Sequence, residues 1–123
     1  MNTHARLDSF EGPLDPATLA FECHTDVRAI EIEWRMFEQR ALGHVFATYD
    51  FVQPWSDLVA PVFGLEPRVV LARSFDGRIV GVLPFGVRRR AGLKIVEWLG
   101  GPHADYKGGL FGPALLAALE PPA

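Results

Sequence analysis

RVVLARSFDGRIVGVLPFGVRRRAGLKIVEWL, residues 68–99, contains three runs rich in β-branched residues separated by two turn signals. Asp76-Gly77 tolerates the positive φ of a tight hairpin turn, and Ala91-Gly92 supplies a second short reversal. The stretch therefore predicts an antiparallel meander of three strands. Its apolar string from Ile79 to Leu83 lacks the alternation of a strand with one wet face, which predicts cover on both faces, with helices packed against the sheet. Pro84 has no N–H to donate to a ladder, so a bulge or an edge position is expected there.

Upstream, Ile30, Trp34, Phe37 and Ala41 recur at helical spacing, behind a Thr25 or Asp26 cap and ahead of Gly43. A second stripe, Val52, Trp55, Val59 and Val62, closes at Gly64, with Pro54 assigned to the first turn. Trp34 and Trp55 lie on these stripes and read as core anchors. Before them, residues 18–24 alternate Leu19, Phe21 and Cys23 against smaller or polar neighbours, which predicts a half-buried strand with those three facing inward. Residues 1–17 carry Gly12, Pro13 and Pro16 without periodicity and read as a loosely held lead-in. Downstream, PALLAALE predicts a short helix starting at Pro113. The order strand, helix, helix, three strands, loop, helix is an α+β layer sandwich, with a sheet of three to four strands against two to three helices.

The chain has 123 residues, 49% of them hydrophobic and 22% charged, which suits one folded unit rather than a disordered chain. A formal net charge of -3 argues against a general nucleic-acid binder. Arg88, Arg89 and Arg90 form the local exception. They read as a solvated hairpin end, with a phosphate or anion contact as the alternative. Cys23 is the sole cysteine, so no intrachain disulfide can form. The N-terminus lacks the apolar core of a secretory signal, and no apolar run reaches the length of a membrane span. A cytoplasmic location is the resulting expectation.

Chemistry concentrates in LGGPHADYKGG, residues 99–109, where four glycines and one proline surround His103, Asp105, Tyr106 and Lys107. A loop between a buried strand and a helix is held at both ends, and glycine lets its backbone approach a ligand closely. The competing reading is structural: Asp105 caps a turn, Tyr106 packs on the sheet and His103 faces water. Phosphate motifs fail, because Lys107 is followed by Gly108 and Gly109 rather than Ser or Thr, and no dinucleotide fingerprint is present. Four scattered histidines and one cysteine give no zinc spacing, and no serine sits in a nucleophile elbow.

EWRMFEQRA (33–41), VFATYDFVQPW (45–55), RVVLARSFDGRIVGVLPFGVRRRAGL (68–93) and WLGGPHADYKGGLFGP (98–113) occur in an order that resembles the N-terminal half of the CelD-like acetyltransferases of the GNAT superfamily. These are a bacterial group related to the FemAB-like aminoacyl transferases. The resemblance spans roughly residues 19–119. Phe51 departs from it, standing where a Trp would follow the Asp.

The resemblance implies a GNAT-like fold in two similar halves, an acyl-CoA site in the C-terminal half, and an acceptor groove between the halves. It assigns Asp105 and Tyr106, with His103 beside them, to the loop that lines this groove. The cofactor turn of that superfamily is expected at a helix start. RRAGLK, from Arg89, has Arg89 and Gly92 in place but Lys94 at the last small position and a strand after it, so it reads as a hairpin turn.

Residues 18–123 are thus expected to form the acceptor-side half of an acyl-CoA-dependent N- or O-acyltransferase. No cofactor site is expected in this chain, and little activity without a cofactor-binding half or partner chain. The acceptor would be a small molecule or glycan, in keeping with the cellulose-biosynthesis connection of the resembled group. The alternative is a non-catalytic interaction module that self-associates or pairs with another chain through an apolar face. A weaker third reading is an anion-binding domain using Arg88, Arg89 and Arg90.

Overall fold

The computed structural model describes residues 14–103 and 108–119. It is an α+β fold with one antiparallel sheet of five strands: β1 (Ala20–His24), β2 (Glu66–Arg73), β3 (Ile79–Arg90), β4 (Leu93–Trp98) and β5 (Leu110–Phe111). The order is β1-β2-β3-β4, and β5 pairs with β3 on the same edge as β4. Three α-helices accompany the sheet: α1 (Glu31–Glu38), α2 (Tyr49–Leu58) and α3 (Pro113–Leu119). The meander and the helix at Pro113 stand as the residue pattern predicts. The two-residue β5 is an addition.

Both hairpin turns form where the glycines place them. Gly77 has φ 86° and donates to the Ser74 carbonyl at 2.9 Å. Arg90 and Leu93 face each other across Ala91 (φ 52°) and Gly92 (φ 82°), the backbone pattern of a type I′ turn. Ala91 is the only non-glycine described with positive φ, and its Cβ makes that conformation unfavourable.

Pro84 occupies a central strand without a bulge. Its carbonyl accepts from the Leu99 N–H at 2.8 Å, so its missing N–H points toward the same edge, between the stretch paired with β5 (81–82) and that paired with β4 (85–90). No ladder bond is lost there. The bulge lies instead between Ala72 and Arg73, where β3 advances from Gly81 to Ile79.

One sheet face carries the core. Ile30, Trp34 and Phe37 from the first helical segment and Val52 and Trp55 from α2 pack with Val69, Leu71 and Val82. Trp34 is fully buried, donates its indole N–H to the Ala47 carbonyl at 3.2 Å, and meets Tyr49 edge-on at 5.5 Å. Burying each such side chain contributes about 1.5–3 kcal/mol. Glu38, at the end of α1, accepts from the Tyr49 N–H at the start of α2 (3.2 Å), joining the two helices.

Three local expectations change. First, α1 is preceded by a 3₁₀ turn, Val27–Ile30, with Asp26 accepting from the Arg28 N–H, and it ends at Glu38 rather than near Gly43. Leu42 is drawn out by a bridge to Phe111, with backbone bonds of 2.8 and 2.9 Å. Second, α2 starts at Tyr49, so Pro54 lies inside the helix, and the 3₁₀ turn Ala60–Phe63 that follows rotates Val62 outward to 79% exposure. Third, β1 presents the opposite face from the one its alternation suggests. Phe21 (64%) and Cys23 are exposed, while Glu22 and His24 turn inward. Arg73 draws Glu22 in, donating to it at 2.9 Å and to Glu33 of α1 at 2.9 Å.

The second sheet face is only partly covered. Leu115 of α3, with Leu14 and Leu19, packs on Ala72 and Val80. Register places Phe21, Cys23, Val70, Leu83, Phe85, Val87, Val96 and Trp98 on this same face. Of these Val96 is 61% exposed, and Phe85 and Trp98 stack on each other at 4.4 Å. The expected two-sided cover of β3 therefore holds at Val80 but gives way to half-exposed Leu83 and Phe85.

Two outcomes follow. Ala91→Asn, which tolerates the left-handed backbone of a type I′ turn, should raise unfolding stability by about 0.5–1 kcal/mol in urea titrations. The Arg73 guanidinium, helped by His24, holds the Glu22 carboxyl below its ordinary range. That stabilisation is present above about pH 4.3 and is lost as pH falls through the lowered value. Glu22→Gln should be less stable than the parent at neutral pH, by under about 1 kcal/mol for so exposed a pair, and the gap should close on acidification.

Candidate functional site

The glycine-rich loop leaves β4 and returns through β5. On the outgoing side Leu99 is buried, and a 3₁₀ turn, Gly101–His103, closes with the His103 N–H on the Gly100 carbonyl at 2.9 Å. Gly101 lies against Trp55, where an added Cβ would sit 3.1 Å from the ring. On the return side a Cβ at Gly109 would stand 2.5 Å from the Val82 carbonyl oxygen, a distance that only glycine permits. The two loop ends are thus pressed onto the core, one on α2 and one on β3.

His103 is held from below by α2. The Trp55 indole N–H donates to its Nδ1 at 3.2 Å. The imidazole meets the rings of Trp55 and Phe63 edge-on at 6.4 and 6.3 Å, and those two stack on each other at 6.1 Å. Because Nδ1 is the acceptor, the neutral ring carries its proton on Nε2. His103 in this arrangement offers a donor, Nε2–H, from an exposed position. It is not a free base. At the return end, His44 Nε2 is 3.7 Å from where a Gly108 Cβ would be, so a second imidazole borders the loop.

Of the residues that the sequence singles out, His103 is placed in this way, while Asp105, Tyr106 and Lys107 lie outside the described residues. Trp55 is a core anchor as expected, and it also orients the loop through its N–H. Phe63 and His44 are additions that no local pattern signals, since contact with the loop comes only through folding. Among the described residues no group of three or more His, Cys, Asp or Glu side chains could hold a metal ion, and no helix is long and apolar enough to cross a membrane. A cavity of about 460 Å³ lies elsewhere, between α1 and the β2–β3 turn, lined by Glu33, Met36, Arg40, Arg73 and Arg78 among others.

His103→Ala should leave the largely buried Trp55 N–H without its acceptor. The expected cost is about 1 kcal/mol in stability. In a proton–nitrogen spectrum, one of the three indole N–H signals should move while the other two stay in place. Unchanged indole signals would mean that this bond does not hold the loop.

Protein-family models, curated proteins and solved structures provide no match to this chain, so its functional reading rests on its own residues.

Proposed function

We propose that this chain is the acceptor-side half of an acyl-CoA-dependent N- or O-acyltransferase, acting with a separate unit that binds the acyl-CoA. The observation that supports this is the seating of the loop. Its two ends are fixed on α2 and β3 by Trp55–His103 and by the close approach of Gly109 to Val82. Binding and catalytic groups commonly collect on a loop held by rigid elements on either side. In this reading Asp105 orients or deprotonates an acceptor amine or hydroxyl, Tyr106 donates to a substrate oxygen, and the outward Nε2–H of His103 adds a second donor. The thioester and the donors that stabilise its oxyanion come from the cofactor-binding unit.

A second reading, a non-catalytic module that pairs with another chain or with itself, is favoured by the open sheet face. Val96 is largely exposed there next to the stacked Phe85 and Trp98, and Phe21 is largely exposed on the edge strand β1 of the same face. Apolar side chains grouped on one face of a sheet mark an interaction surface.

One experiment separates the two. Amide shifts of the full chain are followed against a panel of amino sugars and primary amines, then against increasing protein concentration. The acceptor reading expects at least one compound to shift Gly100, Gly101, His103 and Gly108, and expects Asp105→Asn to abolish that response. Concentration-dependent shifts confined to Phe21, Phe85, Val96 and Trp98, with no response of the loop to any compound, would replace it with the pairing module.

A further inference from the structure

At the far end of the β3–β4 hairpin from the loop, cationic side chains from two hairpins converge on one cavity. It measures about 300 Å³ and is lined by Gly64, Glu66, Arg68, Val87, Arg88, Arg89 and Lys94. Arg68 and Arg88 have side chains two-thirds buried, and each is held from behind. Arg68 donates to the Glu66 carboxylate at 3.1 Å and to the Pro67 carbonyl at 2.8 Å, while Arg88 Nε lies 2.5 Å from Glu97 Oε2.

Arg89 and Lys94 differ. They stand directly opposite each other across the ladder, and neither side chain has an ion pair or hydrogen bond among the described residues. Like charges facing each other across a strand pair destabilise it. With Glu66 and Glu97 set against Arg68 and Arg88, the charges of Arg89 and Lys94 remain uncompensated, in a chain whose formal net charge is -3.

We infer that this cavity binds the phosphate or pyrophosphate group of a small soluble molecule. An anion seated between Arg89 and Lys94 converts their repulsion into two attractive contacts, and the braced Arg68, on the same sheet face, loses little freedom in adding to them. The volume lies at the small end of ligand sites, which suits a phosphorylated metabolite rather than a whole dinucleotide. This site is independent of the acceptor reading of the loop.

Arg90 supplies the control. It belongs to the same arginine run but pairs with Leu93 on the opposite sheet face and does not line the cavity. Titration calorimetry of the full chain with inorganic pyrophosphate should show binding that weakens as salt rises from about 0.01 M to about 0.15 M, over which the screening length falls from about 30 Å to about 8 Å. Arg89→Glu and Lys94→Glu should each weaken binding by about tenfold or more, whereas Arg90→Glu, with the same change in net charge, should stay within about twofold of the parent. Both cavity positions are exposed, and circular dichroism checks that the fold is retained. Absence of pyrophosphate binding, equal losses at positions 89 and 90, or binding only to phosphatidylserine vesicles would each overturn the inference.

Discussion

Strand β3 is the element on which the rest of the molecule depends, because it is paired along both edges while one of its faces carries the core. Twelve residues long, it pairs with β2 on one side and successively with β5 and β4 on the other. Its partners come from separate parts of the chain, so breaking β3 would release the meander and the loop together. Pro84 fits here because β5 and β4 leave a gap on that edge, and the missing donor costs no ladder bond. The same gap is where the chain departs from β4 and later returns as β5. A position that a ladder cannot use is thus next to the segment in which the polar chemistry collects.

The two described ends of the loop, for their part, are seated on the core. Glycine at position 109 lets the return end lie directly on a carbonyl of β3, and an indole N–H that would otherwise need a partner inside α2 is satisfied by His103. Packing and presentation are therefore achieved by the same residue, Trp55. Such sharing ties the outgoing end of the loop to the core. It also dictates which imidazole nitrogen faces outward and what that nitrogen can do.

Charge is distributed with comparable economy. Arg73 ties the edge strand β1 to α1 through Glu22 and Glu33, and Arg35 reaches both Glu31 and Asp50. These cations each have carboxylates at hand. The hairpin end at Arg89 and Lys94 does not follow this pattern, and the contrast within one small protein makes it notable. The open apolar face of the sheet is the other departure, since strand residues that could have been polar on that side are Val70, Leu83, Phe85 and Trp98.

Local chemistry determined a good deal without reference to tertiary structure. The Asp76-Gly77 and Ala91-Gly92 turns, the three strands that they join, and the buried positions Ile30, Trp34, Phe37, Val52 and Trp55 follow from turn geometry and from helical spacing. Both are properties of residues within a few positions of each other. What only the tertiary structure decided depends on partners far apart in the chain. The facing of β1 was set by its ladder with β2, which brings Glu22 to Arg73, 51 positions away, and turns Phe21 and Cys23 outward against the apolar alternation of the strand. The early end of α1 was set by Leu42 bridging to Phe111, and the orientation of His103 by Trp55, 48 positions upstream. The meeting of Arg68 with Arg89 and Lys94 likewise required β2 to be laid against β3. Turns and stripes are short-range and are read directly, whereas facing, register at an edge and the assembly of a site are settled by contacts that exist only after the chain has closed on itself.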